Sequence, residues 1–173
     1  MELLEAIKGR RSIRTFKKQP IPDSAIETLI DAARNAPSAG NIQPWEFVII
    51  KNPAVKQKLA EAALNQKHIE EAPIIIVVCA DEKRASIGYG TRGRTLYCLQ
   101  DTAAATQNIL LAAYSLGLGT CWVGAFNEDE VKYIVKAPEG IRPVAMVPIG
   151  YPNQAARQRG RRLLNQIVHY DSF

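Results

Sequence analysis

Apolar positions recur along this chain with two periods, and both the period and the runs without one predict elements. Leu3, Leu4 and Ile7 fall at helical spacing in residues 2–8, and Gly9 closes that short helix. Ile26, Leu29, Ile30 and Ala33 follow the i, i+3, i+4, i+7 rule, so a second helix lays one face on a core. Ser24 with Glu27 three residues on reads as its capping box. Residues 45–51 form a β-rich run, and Asn52-Pro53 then turns the chain into a helix through about Leu64. Residues 65–71 are polar. Ile74 to Ala80 is an unbroken apolar run rich in β-branched residues, which predicts a central strand covered on both faces.

Residues 81–94 are charged and contain Gly88, Gly90 and Gly93, which predicts a mobile loop or excursion. The longest helix is expected from Asp101 to Leu116, alanine-rich and buried nearly all round, with Gly117-Leu118-Gly119 as its C-terminal cap region. Residues 120–126 suggest a short strand, and Asn127 with Glu130 the start of another helix. Residues 143–149 read as the last strand. From Gln154 to Phe173 no period dominates, and an extended tail is expected. Its Leu163, Leu164, Ile167, Val168 and Tyr170 need an apolar surface, which a second subunit would supply.

Composition narrows the class without fixing it. A chain of 173 residues and 19.1 kDa is one domain, large enough to hide about 70% of its unfolded surface. No apolar run reaches the roughly 18 residues a membrane helix needs. The N-terminus has no basic stretch before an apolar one, so no secretory signal is expected. Cys79, Cys98 and Cys121 are odd in number and widely spaced, which fits neither a disulfide framework nor a zinc site and suits a reducing cytoplasm. The formal net charge of +5 gathers at Arg10, Arg11, Arg14, Lys17 and Lys18 and again at Arg157, Arg159, Arg161 and Arg162. Few aromatics are interleaved, so single-stranded nucleic acid fits poorly. A compact anion such as a phosphate ester, gripped from both clusters, fits as well as a polynucleotide does.

Two stretches carry candidate chemistry. In residues 10–14, an extended backbone places Arg10, Ser12 and Arg14 on one side and Ile13 on the other. Two guanidiniums and a hydroxyl suit a phosphate. In residues 36–45, A-P-S-A-G-N-I-Q-P-W, Pro37 and Pro44 forbid helix or central strand. Gly40 there permits φ > 0 or a close approach, and Ser38, Asn41 and Gln43 suit the polar edge of a planar heterocycle. No G-x-S-x-G or P-loop pattern is present; Gly88-Tyr89-Gly90-Thr91-Arg92-Gly93 spells G-x-G-x-x-G, but no strand ends directly in it, and His68 and His169 are too few for a metal site.

Taken together, the motifs resemble the FMN-dependent nitroreductase family in its short single-domain form. They are R-R-S-I-R-T-F (10–16), A-P-S-A-G-N-I-Q-P-W (36–45), E-A-P-I-I-I-V-V (71–78) and the helix entered by Q-D (100–101). L-G-L-G-T-C-W-V-G (116–124), I-G-Y-P (149–152) and R-x-R-R-x-L-x-x-I-V-H-Y (159–170) complete the set, in the family's order. The resemblance implies an α+β fold spanning 1–173, with a central mixed, mainly antiparallel sheet flanked by helices. It implies a homodimer with FMN at the subunit interface and a C-terminal arm, about 154–173, exchanged between subunits.

Arg10, Ser12 and Arg14, with Arg11 beside them, match the first FMN-binding segment, and Arg161 with Arg159 or Arg162 would close the phosphate site. Each charge-assisted hydrogen bond of that kind is worth roughly 1.5–3 kcal/mol. Pro37, Ser38, Ala39, Asn41 and Gln43 match the segment beside the ring and ribityl chain, some of it from the second subunit. Trp122, Val123, Gly124 and Ala125 match the segment that places backbone N–H groups near flavin N5, and Asn65 matches a ring-edge position. The implied activity is an NAD(P)H oxidoreductase working by ping-pong hydride transfer through the flavin to a nitroaromatic, quinone, flavin or related acceptor, with no obligate catalytic side chain. The alternatives are a flavin-binding or electron-carrying module and a flavin-consuming or dehalogenating relative.

Overall fold

The computed structural model describes residues 2–155 and 160–173. Four strands form one antiparallel sheet in the order β1-β2-β4-β3: β1 Trp45–Ile50, β2 Ile74–Asp81, β3 Gly119–Thr120 and β4 Ile141–Gly150. The parallel element of the expected mixed sheet is a single bridge between Ser12 and Thr120. β2 is central, as its sequence requires. Ile74, Ile76 and Val78 join one apolar cluster while Ile75, Val77 and Cys79 join another.

The first cluster is completed by two helices, α2 (Asp23–Arg34) through Ile26, Leu29 and Ala33, and α6 (Cys98–Ser115) through Ala105, Ile109 and Ala113. The second is completed by α3 (Pro53–Ala62) and α7 (Glu128–Ile134) on the opposite face. The sheet is thus sandwiched between helical layers. Each fully buried Leu, Ile or Val in those layers contributes about 1.5–3 kcal/mol of hydrophobic stabilisation. None of the helices is long and apolar enough to cross a membrane, among the described residues.

Local signals read from the chain hold where a short-range hydrogen bond sets them. Asn52 caps α3 by accepting from Ala54 and Val55 N–H at 2.9 and 3.3 Å, and Asn127 caps α7 by accepting from Glu130 N–H at 3.1 Å. Gly117, at φ 74°, ends α6 with Leu118 N–H donating to Ala113 O and Gly117 N–H to Tyr114 O. The Ser24–Glu27 capping box does not form. Pro22, with φ −59° and ψ 144°, is already the cap residue, so Ser24 lies inside the first turn.

Other boundaries shift. A short helix, α4 (Lys67–Glu71), occupies part of the polar 65–71 stretch, and the last strand runs Ile141–Gly150. Beyond Thr120 the expected strand reduces to one bridge between Val123 and Met146.

The larger correction concerns residues 82–97. They form α5 (Glu82–Arg92) and a π-helical turn (Gly93–Tyr97) that runs straight into α6, so the long helix begins at Cys98 rather than Asp101. The glycines serve geometry here. Gly90 turns the chain at φ 53°, ψ −136°, and a Cβ on Gly93 would run into the Ala85 carbonyl. The segment folds back on itself because residue 93 has no side chain. Tyr89 and Tyr97 then meet edge-to-face at 5.2 Å, and Arg92 lies over the Tyr97 ring at 5.3 Å.

Candidate functional site

Residues 10–16 run beside β3. Ile13 N–H donates to Thr120 O at 2.8 Å, and Lys17 N–H to Tyr151 O at 2.8 Å. Ile13 and Phe16 are buried while Ser12 and Arg14 are exposed, which is the alternation the sequence required. Gln154 fastens the segment from the far side, accepting from Arg14 N–H at 3.2 Å and from the Thr15 hydroxyl.

A cleft of about 100 Å³ lies between Arg10, Tyr114, Thr120 and Gln154. Burial lowers the Arg10 guanidinium below arginine's ordinary pKa, and the neighbouring cations Arg11 and Arg161 lower it further. Arg10 and Arg14 make no ion pair with any carboxylate among the described residues. A half-buried cation crowded by cations is stabilised when an anion arrives. Arg11 turns away, donating to the carbonyls of Lys8 and Arg10 at 2.5 and 2.8 Å. Arg11 therefore adds charge beside Arg10 and braces the Arg10 backbone. Arg159 lies outside the described residues; Arg161 is close enough to Arg10 to depress it.

Two further segments join this wall. Leu64 and Asn65 both adopt positive φ, 60° and 57°, and reverse the chain after α3. Gln66 then donates its amide to Ala125 O at 3.2 Å, which ties the 65–68 region to residues 122–125. Val123 N–H is committed to Met146 O at 2.9 Å. Trp122, Gly124 and Ala125 N–H take no partner among the described residues, so they are the free backbone donors of this stretch. Trp122 is 40% exposed beside them. Cys121 is buried, which raises its thiol pKa, with Arg14 and Ser12 close enough to oppose that shift.

The turn at residues 37–43 is built separately. Gly40, Asn41 and Gln43 all have positive φ, near 55°. Ser38 Oγ accepts from Gln43 N–H at 3.0 Å, and the Gln43 amide donates to Asn41 Oδ1 at 3.2 Å, so these side chains first hold the turn itself. Ala39 N–H donates to Asp101 Oδ1 at 3.2 Å. Asp101 is buried, which raises its carboxyl pKa, while the Ala39 N–H holds it down. Gly40 faces the Tyr89 hydroxyl, which stands 2.8 Å from where a Cβ would sit and would have to shift to admit one.

These two halves do not meet within one chain. Ala39 is anchored to Asp101 in the first turn of α6, whereas Gly9, next to Arg10, abuts Tyr114 in its last. The rise of the helix between those residues puts them about 20 Å apart. The sheet agrees, because the turn enters β1 at one edge and the arginines flank β3 at the other, at opposite strand ends.

This architecture can be placed among known proteins. The family profile described as the nitroreductase family matches residues 7–67 and 60–151. The chain belongs to the nitroreductase family. A Methanothermobacter thermautotrophicus protein assigned as an NADH dehydrogenase/NAD(P)H nitroreductase is 38% identical over 156 residues, 88% of this chain and 78% of that protein. A nitroreductase family protein from Clostridium novyi NT has a crystal structure that superposes with a TM-score of 0.81 at 34% identity, over 88% of this chain and 86% of that one. The NADPH:FMN oxidoreductase of Vibrio harveyi, solved with NAD+, superposes with a TM-score of 0.91 at 29% identity, over 99% of this chain and 77% of that one.

Around this candidate site, reading the chain alone missed Asp101, Gln66 and Gln154. Asp101 had one usable signal, a carboxylate entering an otherwise apolar, alanine-rich helix. The other two act through tertiary contacts that leave no trace in local pattern.

Proposed function

We propose that this chain is an FMN-dependent NAD(P)H oxidoreductase, assembled as a homodimer with FMN at the subunit interface. Its acceptors are nitroaromatics, quinones, flavins or related molecules. The observation that carries the reading is the half-buried Arg10, crowded by Arg11 and Arg161. That cluster suits the FMN phosphate, with Arg10, Arg14 and Arg161 holding it. Gly124 and Ala125 offer free N–H groups toward the ring, and Trp122 gives it an apolar flank. FMN held there supplies two-electron redox chemistry, taking reducing equivalents from NAD(P)H and releasing them to an acceptor in ping-pong order.

The protein's contribution is to bind, orient and shield. Arginine cations near the flavin favour its anionic reduced form. The 37–43 turn is held at Asp101, about 20 Å along α6 from the Tyr114 that the arginine segment abuts, so it closes over the flavin of a second copy. Leu3 and Leu4 of α1 (Leu3–Gly9) and Leu163, Leu164, Tyr170 and Phe173 of the tail are exposed in the single chain, and a dimer covers them. The cytoplasm is the compartment this reading implies.

The test is purification and reduction. The protein is expected to be yellow, to release one FMN per chain, and to bleach within seconds when NADH or NADPH is added without oxygen. A colourless protein that FMN cannot reconstitute overturns the reading. A yellow protein that neither nicotinamide bleaches is the electron-carrying module instead.

A further inference from the structure

We propose that Arg92 binds the 2′-phosphate of NADPH, which makes that nucleotide rather than NADH the preferred electron donor; the inference rests on the flavoprotein reading above. Its starting point is the charge of the excursion between β2 and α6. Residues 83–100 hold Lys83, Arg84, Arg92 and Arg94 and neither an aspartate nor a glutamate. Lys83 has Glu139 at 4.0 Å and Arg84 has Asp81 at 3.7 Å, both from outside the stretch. Arg92 and Arg94 are exposed and pair with no carboxylate among the described residues. Arg92 is also held in place. Its Nε donates to the Tyr97 hydroxyl at 2.9 Å, and its guanidinium carbon lies 5.3 Å from the centre of the Tyr97 ring. Tyr89 braces that ring edge-to-face at 5.2 Å. The terminal nitrogens of Arg92 take no partner among the described residues. A guanidinium fixed before its ligand arrives loses little freedom on binding, and its planar fork suits a phosphate.

The place of the excursion says which phosphate. The Tyr89 hydroxyl stands 2.8 Å from where a Cβ on Gly40 would sit, and Ile42 Cδ1 stands 2.8 Å from where one on Gly88 would sit. The excursion is therefore docked on the 37–43 turn, close against both glycines. That turn closes over the flavin of a second copy in the reading above, so the excursion frames the mouth of the same site. A nicotinamide stacked on the flavin leaves the adenosine end of its dinucleotide beyond the ring, against whatever frames it. NADPH differs from NADH there only by the phosphate on the 2′ oxygen, a group that an arginine accommodates in nucleotide sites of other folds. Arg92 supplies the fork, and Arg94 two residues on adds a second positive charge.

The experiment uses the FMN-loaded protein with benzoquinone as acceptor and compares NADPH with NADH for wild type, Arg92→Gln, Tyr97→Phe and Arg84→Gln. Wild type is expected to show a KM for NADPH about tenfold below that for NADH, the worth of one charge-assisted hydrogen bond, and the gap should narrow with added salt. Arg92→Gln should reduce the NADPH preference by about tenfold, through KM rather than kcat. Tyr97→Phe releases the guanidinium without removing its charge and should reduce the preference by about threefold. Arg84→Gln, whose arginine is paired with Asp81, should keep the wild-type ratio. Binding without turnover is read by calorimetry. Adenosine 2′,5′-bisphosphate should bind Arg92→Gln about tenfold more weakly than wild type, whereas 5′-AMP should not distinguish the two. Equal KM values for the two nucleotides in wild type overturn the assignment, as does an Arg92→Gln protein that keeps the NADPH preference. Equal loss of both nucleotides in Arg92→Gln makes the residue a brace of the excursion and overturns it as well. In those outcomes the protein is still yellow and bleached by NAD(P)H, so the flavoprotein reading stands; a colourless protein that FMN cannot reconstitute overturns both. Should Arg92→Gln not load FMN, wild type decides: bisphosphate binding no tighter than that of 5′-AMP overturns the proposal.

Discussion

The separation of the two half-sites predicts a result that only one arrangement can give. Arg10→Ala removes the phosphate grip, and Gly40→Val distorts the 37–43 turn, since Gly40 has φ 56° and its Cβ position is taken by the Tyr89 hydroxyl. Each variant alone should bind FMN poorly. The two lesions lie in segments anchored about 20 Å apart along α6 in one chain, so each FMN would be held by the arginines of one chain and the turn of the other. When the two variants are coexpressed with different tags, about half of the dimers are mixed. In a mixed dimer one interface collects both lesions, and the other joins an intact Arg10 to an intact turn. About a quarter of all sites are then wild type, rising to about half in doubly affinity-purified heterodimers. Bound FMN per chain and NAD(P)H oxidation rate both read this recovery. If each chain instead held its own flavin with both elements, every site in the heterodimer would carry a lesion and no recovery would occur. Flavin content staying at the level of the separate variants refutes the shared-site argument.

Arg10→Ala should raise the FMN dissociation constant by roughly ten- to a hundredfold, the worth of a charge-assisted hydrogen bond. It should leave the melting temperature of the apoprotein unchanged or higher, because Arg10 is penalised by burial and by Arg11 and Arg161 when no anion is present. A chain ending at Gln154 should run as a monomer in sedimentation and lose FMN, and a dimeric, yellow truncation contradicts the arm exchange. Glu128 accepts from Arg142 Nε and a terminal nitrogen, both at 2.8 Å, and that pairing holds its carboxyl below the usual value. Its stabilisation is present above the ordinary carboxyl range and is lost as pH falls through the depressed folded value. Both side chains are partly exposed, so Glu128→Gln should cost about 0.5 kcal/mol in urea unfolding at pH 7 and nothing at about pH 3. The three cysteines are buried, with the Cys79 thiol pushed up to about 12. None should react with a thiol reagent until the protein is unfolded.

What the chain disclosed on its own follows the range of the forces involved. β2 was legible because both its faces are buried, and that requires an apolar residue at every position. The caps at Asn52 and Asn127 were legible because a cap is satisfied within three residues. Residues 82–97 were misread for the converse reason. Gly88, Gly90 and Gly93 look like flexibility, yet Gly93 is required by the Ala85 carbonyl eight residues away, a contact no local window contains. The candidate site divides along the same line. Arg10, Ser12 and Arg14 alternate with Ile13, so their common side could be read directly, and burial of Ile13 bears it out. The 37–43 stretch could be recognised as a turn by its prolines, and its amides offered the polar groups that the family resemblance assigned to a cofactor. Where it stands relative to the arginines depends on the length of α6, the order of the strands and the Ala39–Asp101 bond. A motif can therefore announce that it touches a ligand without announcing whose. In this fold the rise of one helix between Asp101 and Tyr114 decides it, because a turn held at the first end cannot reach what the arginines hold at the last.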